Sequence, residues 1–245
     1  MISFEKLEAA RKVWKPFPMK NEVLRFEGEN LTDAIHKSIA LGLVLELPVA
    51  EWVSDARKKM VDVEVPKIGI TSLMKNIKDE GVHFQGFQYA AEAYPESKNF
   101  MEEANTIYKA WDSLDIHPLW IAAMAETGIF LASLAVLRLC GGNGLSDLAG
   151  DISKDEYRHV ACNRAVLKIL GYDLHNPPAA LDAVREETID WIFQGFEVPA
   201  LDIDKQFMID QSDELVYTGR APELSELTAH SEYTPPFERS NSRMY

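Results

Sequence analysis

Ile121-Ala-Ala-Met-Ala-Glu126-Thr-Gly-Ile-Phe-Leu-Ala-Ser-Leu-Ala135 is the stretch on which the fold of this chain turns. Its residues make an apolar helix. One carboxylate, Glu126, sits in the middle of it. An ionised carboxylate in such surroundings costs several kcal/mol unless a cation or a partner compensates it. Pro118 starts this helix and Gly141-Gly142 closes it after Leu139. A second stretch has the same character. Residues 30–47 open with Asn30-Leu31-Thr32-Asp33, good N-cap chemistry, and continue as an apolar run that contains Val44-Leu45-Glu46-Leu47.

Outward from these two segments the periodicity stays helical, and strand alternation is nearly absent. Pro48 kinks the first helix or begins a second piece reaching about residue 61. Further helices are expected over about 68–94, stopped by Pro95, then over 97–114, 144–170 and 179–196. Long helices joined by short connections predict an all-α bundle. The bundle is assigned to residues 1–200. Residues 201–245 are acidic and turn-rich, end in Thr234-Pro235-Pro236-Phe237 and beyond, and read as an extended or disordered tail.

The 245 residues carry 39 acids against 25 bases, a net charge of -14. A polyanion of this kind is no generic partner for nucleic acid or an anionic membrane. The apolar run Ile39–Leu45 is far shorter than the roughly 20 residues of a membrane helix. Met1-Ile-Ser-Phe-Glu5 has acids where a secretory leader needs bases. Cys140 and Cys162 lie in apolar helical sequence and cannot form a disulfide scaffold. These features together lead us to expect a cytoplasmic protein.

Two Glu-x-x-His motifs carry the chemistry: Glu80-Gly-Val-His83 and Glu156-Tyr-Arg-His159. Positions i and i+3 share a helix face, so each pair aims a carboxylate and an imidazole at one point. Six histidines and 23 glutamates in 245 residues would place about 0.6 such pairs by accident. The company strengthens the reading. Four-helix carboxylate sites take a lone acid from each of two helices and an E-x-x-H from each of the other two. Glu46, Glu80/His83, Glu126 and Glu156/His159 follow one another in that alternation. Four carboxylates and two imidazoles suit two first-row ions such as iron or manganese. Glu51 is a rival to Glu46, but Trp52 and Asp55 beside it point to a partly exposed face. His36, His117 and His175 lack a ligand pattern, and Trp111, Trp120 and Trp191 read as core.

These strings resemble, in order, the small radical-generating subunit of class I ribonucleotide reductase, within the ferritin-like dimetal carboxylate superfamily. Val44-Leu45-Glu46 is similar to that family's first ligand run. Glu80-Gly-Val-His83-Phe-Gln-Gly-Phe87-Gln-Tyr89 is similar to its second-helix signature, and Glu126-x-x-x-Phe130-x-x-Ser133 to its third. Asp155-Glu156-x-x-His159 resembles its closing motif, and Trp14-Lys15-Pro16 a string ahead of the bundle. The likeness spans about residues 14–170. Two positions depart from most members. Phe87 stands where most carry the radical tyrosine, and Glu46 where most carry an aspartate. Both departures are features of the subgroup that stores its oxidising equivalent on a manganese/iron centre. Phenylalanine has no O–H to lose, and Tyr89 points about 200° away around the helix.

The resemblance implies a ferritin-like bundle whose dinuclear centre is held by Glu46, Glu80, His83, Glu126, Glu156 and His159. Manganese/iron is the favoured content, with di-iron or dimanganese as alternatives. It implies that the centre activates oxygen and hands an oxidising equivalent to a separate large subunit, which reduces ribonucleotides. Asp155 would link a ligand histidine to Trp14, the first redox relay, although a packing tryptophan is a competing reading of Trp14. The tail would dock on the large subunit, with Tyr233 as its relay and Tyr245 and Tyr217 as competitors; the chain would act as a homodimer. Another dimetal oxidase or oxygenase would keep all six ligands, and ferritin-like metal storage is the non-enzymatic alternative.

Overall fold

The computed structural model of the chain describes residues 3–60, 64–173 and 175–231. It is an all-α bundle. A short helix α1 (Phe4–Ala9) and an irregular segment precede two long helices, α2 (Glu29–Lys59) and α3 (Lys67–Ala93). After a 3-10 turn at Pro95–Phe100 comes α4 (Met101–Asp112). The apolar stretch around Glu126 forms α5 (Pro118–Met124), a π-helical turn (Ala125–Phe130) and α6 (Leu131–Cys140). The helices α7 (Asn143–Ile169) and α8 (Ala179–Ile192) follow. Beyond them lie a two-strand ribbon, β1 (Glu197–Val198) and β2 (Ile203–Asp204), then α9 (Lys205–Tyr217) and α10 (Pro222–Ala229).

Four long rods form the centre. α2 packs on α3, α3 on α7, α7 on α6, and α5 and α6 close the ring against α2. The amphipathic pattern decides what faces inward: Leu31, Ile35, Ile39, Leu45, Val49 and Val53 of α2 are buried. Burying each such side chain contributes about 1.5–3 kcal/mol, so Ile39→Ala would cost about 2–5 kcal/mol. Close approach of α2 and α3 depends on Gly42, where a Cβ would lie 2.6 Å from the ring of Phe87.

Three expectations are revised. Of the two readings of Pro48, the start of a second piece does not hold: Val49, Trp52 and Val53 keep burying the same face, and α2 runs through to Lys59. Its start is Glu29, after Gly28, ahead of the Asn30–Asp33 string. The third correction is larger. Residues 201–231 are not an extended tail; α9 and α10 bury Met208, Gln211, Ser212, Leu215, Val216 and Leu224. Asp204 caps α9 through a hydrogen bond from the Phe207 amide, 2.9 Å. Of the acids that made the segment look tail-like, Asp202, Asp204, Asp210, Glu223 and Glu226 are exposed, whereas Asp213 and Glu214 are half-buried. Residues 232–245, with Tyr233 and Tyr245, lie outside the described residues.

Among the described residues, Pro118–Cys140 is the one helix long and apolar enough to cross a membrane, and 94% of its most apolar window is buried inside the protein. Its length exceeds the Ile39–Leu45 run because Glu126 and Ser133 interrupt the sequence without interrupting the helix. Cys140 and Cys162 are buried free thiols, pushed up to about 12 by burial. Trp111 and Trp120 are core residues, whereas Trp191 is half-buried, with its Nε1 donating to Glu103 at 2.6 Å.

Candidate metal centre

Each of the four rods turns one acid inward. Glu46 comes from α2, Glu80 and His83 from α3, Glu126 from the π-helical turn, and Glu156 and His159 from α7. All six are completely buried. They form two groups, Glu46/Glu80/His83/Glu156 and Glu80/Glu126/His159, in which one ligand atom per residue lies within 4.8 Å of the others. Glu51 is exposed and takes no part.

The distances give the centre two ends and a middle. Of the two imidazoles, Glu46 reaches His83, with Oε2 3.4 Å from Nδ1, and Glu126 reaches His159, with Oε1 3.8 Å from Nδ1. Glu80 reaches both imidazoles, at 3.1 Å to His83 and 3.0 Å to His159. So does Glu156, at 3.1 and 3.6 Å. The rings of the two histidines lie 5.6 Å apart and 25° from parallel. Two carboxylates that each reach both imidazoles, flanked by two Glu/His ends, make an arrangement that could hold a pair of ions.

The polar bookkeeping supports that content. Both carboxylate oxygens of Glu46 and of Glu156, Oε1 of Glu80 and of Glu126, and Nδ1 of His159 are buried without a hydrogen-bond partner. Buried polar groups are almost always satisfied, so a cluster of orphans facing one point needs an explanation. Two divalent ions would supply four positive charges to the four carboxylates and would find ligands in the orphaned atoms. The donor set, oxygen and imidazole with no thiolate, suits iron or manganese.

Burial pushes the Glu46 and Glu126 carboxyls well above the ordinary carboxylate range, and neighbouring carboxylates add to the effect. Burial acts the same way on Glu80, but His159 and His83 outweigh it and hold that carboxyl low. Burial would depress the two imidazoles. It is overcome by Glu46, Asp155 and Glu156 around His83 and by Glu80, Glu156 and Asp79 around His159, so both rise well above the ordinary histidine value.

Behind the ligands, His83 Nε2 lies 3.3 Å from Asp155 Oδ2, and that oxygen also accepts from Trp14 Nε1 at 2.8 Å. Trp14 is 9% exposed and stacks on His83 with ring centroids 6.1 Å apart. Burial would raise Asp155, but His83, Arg158 and Trp14 bring it down to about 2. Phe87 is buried against Gly42. Tyr217 is 41% exposed and donates to Asp182 at the surface of α8 and α9. His36, His117 and His175 lie outside the cluster.

Sequence reading missed several supporting groups. Asp79 Oδ2 lies 3.2 Å from His159 Nε2 and is paired with Arg11 and, at 3.6 Å, with Arg158. Asn163 Nδ2 donates to Glu126 Oε2 at 2.7 Å. The signal for Asp79 was present: Asp79-Glu80-x-x-His83 repeats Asp155-Glu156-x-x-His159. The π-helical turn at Glu126 had no such signal in composition or periodicity. In comparison with known proteins, the chain matches no family model, no curated protein and no solved structure.

Proposed function

We propose that this chain is the metal-bearing small subunit of a class I ribonucleotide reductase, of the kind that lacks the radical tyrosine. The observation that carries the reading is the unbroken line His83–Asp155–Trp14, which runs from a ligand imidazole through one carboxylate oxygen to an indole. When bound, a manganese/iron pair would supply oxygen-derived oxidising power at the centre. The chain's own residues do the rest. Glu46 and His83 would hold one ion, Glu126 and His159 the other, and Glu80 and Glu156, which reach both imidazoles, would serve both. Asp155 fixes the imidazole of His83 and can take the indole proton when Trp14 is oxidised. Phe87 packs beside the helix turn of His83 and presents no phenol that could be oxidised there. Residues 232–245, including Tyr233, remain to dock on the large subunit, with two copies of this chain forming the working dimer.

The test is elemental analysis after expression with both metals, followed by cytidine diphosphate reduction with a class I large subunit. About two metals per chain with a real manganese share, and turnover that needs both subunits, support the reading. Two irons and no manganese would move it to a di-iron centre, and metal without turnover would remove the reductase. A second reading, an oxidase or oxygenase acting on its own substrate, is favoured by the folding of residues 205–229 into α9 and α10, which shortens any docking tail. Oxygen consumption with an added substrate and no large subunit would select it.

A further inference from the structure

The helix α9, where sequence suggested a tail, lies directly against the π-helical turn that carries Glu126. Ser212 Oγ donates to the carbonyl oxygen of Gly128 at 2.7 Å and accepts from Arg185 Nη1 at 2.8 Å. The direction is forced, because a guanidinium only donates and a carbonyl only accepts. Ser212 and Arg185 are fully buried. Arg185 is pinned on three more sides: Nε to Asp182 at 2.8 Å, Nη2 to Asp213 at 2.7 Å, and its guanidinium over the Tyr217 ring at 5.8 Å. Gly128 makes room for this arginine, since a Cβ there would stand 2.6 Å from Arg185 Cδ and 3.1 Å from Val216 Cγ2.

A π-helical turn carries one more residue than the α-helical turn it replaces, and it is held only where surroundings favour it. Relaxing it to α-helix re-registers the residues on one side by about 100° about the axis. Glu126 lies inside the turn and two residues before Gly128. Its Oε1 faces His159 Nδ1, and its Oε2 is held by Asn163. We infer that the Arg185–Ser212–Gly128 contact braces the π-helical turn and thereby sets the Glu126 carboxylate at the second metal position. Arg185 and Ser212 are thus positioning residues in α8 and α9, two helices that supply no ligand. The inference rests on the dimetal reading of the centre and is independent of which reaction the centre serves.

The experiment is an anaerobic Mn(II) titration of the whole metal-free chain, read by electron paramagnetic resonance and calorimetry. In the wild type two ions bind and their coupled signal develops. In Ser212→Ala the first ion binds as before, while the second is weakened about 10–100-fold, the range for groups that support ligands, and the coupled signal is lost. Ser212→Thr, which restores the hydroxyl, recovers it. Gly128→Ala, which displaces Arg185, weakens the second ion as Ser212→Ala does. Should Ser212→Ala lose helical content, Arg185→Lys is the comparison, because a single ammonium nitrogen cannot occupy the three places from which Nη1, Nε and Nη2 reach Ser212, Asp182 and Asp213. Two unchanged affinities in a folded Ser212→Ala or Arg185→Lys overturn the brace alone. A wild type that binds no Mn(II) overturns the dimetal reading and the brace together.

Discussion

His159 Nε2 lies 3.2 Å from Asp79 Oδ2, an oxygen that belongs to the other Asp-Glu-x-x-His motif. The exchange is reciprocal, because Asp155 of the second motif takes His83 of the first. Each carboxylate can accept the Nε2–H of its histidine, which leaves both Nδ1 atoms lone-paired and aimed inward. The crossing also ties α3 to α7 over the centre. Its two arms differ in where they lead. Asp155 continues to the indole of Trp14 and Asp79 to the guanidinium of Arg11, while Arg158 pairs with both.

Asp79→Asn and Asp155→Asn should therefore weaken opposite ends of the centre. An amide can present its NH2 to Nε2, which favours the wrong tautomer and turns a lone pair away from the metal. Each substitution should cost about 10–100-fold in affinity for one ion and leave the other largely intact. Mn(II) titration of the two variants checks this. Equal losses at both ions in both variants would mean that the aspartates hold the helices together and do not orient single histidines.

Trp14→Phe separates export from binding. The indole donates one hydrogen bond and touches no other atom of the metal cluster through a polar group. Both ions should load normally. Oxidation of an external reductant, or turnover with a large subunit, should fall about 10–100-fold. Stability should drop by about 1–3 kcal/mol, because buried Asp155 loses a donor. Unchanged electron transfer in a fully loaded Trp14→Phe would return Trp14 to a packing role.

Much of this was legible in the sequence because it rested on local rules. Pro95, Pro118 and Gly141-Gly142 set helix ends, and apolar runs around Glu46 and Glu126 made the burial of those two acids readable from the residues alone. The other four inward-facing groups, Glu80, His83, Glu156 and His159, followed from i, i+3 spacing. What stayed hidden was non-local. The partner of Asp79 lies 80 residues away in the chain. The fate of α9 was decided by Met208, Leu215 and Val216 finding a surface on other helices, and three buried apolar residues among acids leave little trace in composition. The π-helical turn depends on contacts from Ser212 and Arg185, which no pattern near Glu126 announces.

Metal loading should release protons. In the metal-free protein, Glu46 and Glu126 titrate well above 4.5, and His83 and His159 well above 6.5. The signs agree. A carboxyl with a raised folded value holds a proton that the unfolded chain has lost, so its stabilising effect is present at low pH and fades as pH rises past its unfolded value. The raised imidazoles stabilise fully below 6.5 and lose that effect as pH climbs through their folded values. Glu80 and Asp155 run the other way, stabilising above their unfolded values and losing it as pH falls, towards about 2 for Asp155. Between mildly acidic and alkaline pH, the metal-free protein should thus become less stable while its metal affinity rises, since ligands must be deprotonated to bind. Proton uptake or release on adding Mn(II) in weak buffer measures the effect, and the absence of release would contradict protons held by Glu126, by His159 and by the Glu46–His83 pair in the metal-free protein.

Two truncations divide the C-terminal region by its physics. A chain ending at residue 204 loses the burial of Met208, Leu215, Val216 and Leu224. At about 1.5–3 kcal/mol each, that loss is of the order of a whole domain's stability of about 5–15 kcal/mol. It also removes Ser212 from Gly128 and Asp213 from Arg185, which leaves a buried guanidinium short of a partner. Such a chain should lose its cooperative thermal transition and bind fewer than two ions. A chain ending at residue 231 keeps every contact described for α9 and α10 and should melt and load metal like the full chain. If residues 232–245 are the docking segment, that second chain alone should load two ions and yet fail to support turnover with a large subunit. Full turnover by it would place the contact elsewhere on the bundle, and a chain ending at residue 204 that still melts cooperatively would mean that α9 adds little to the fold.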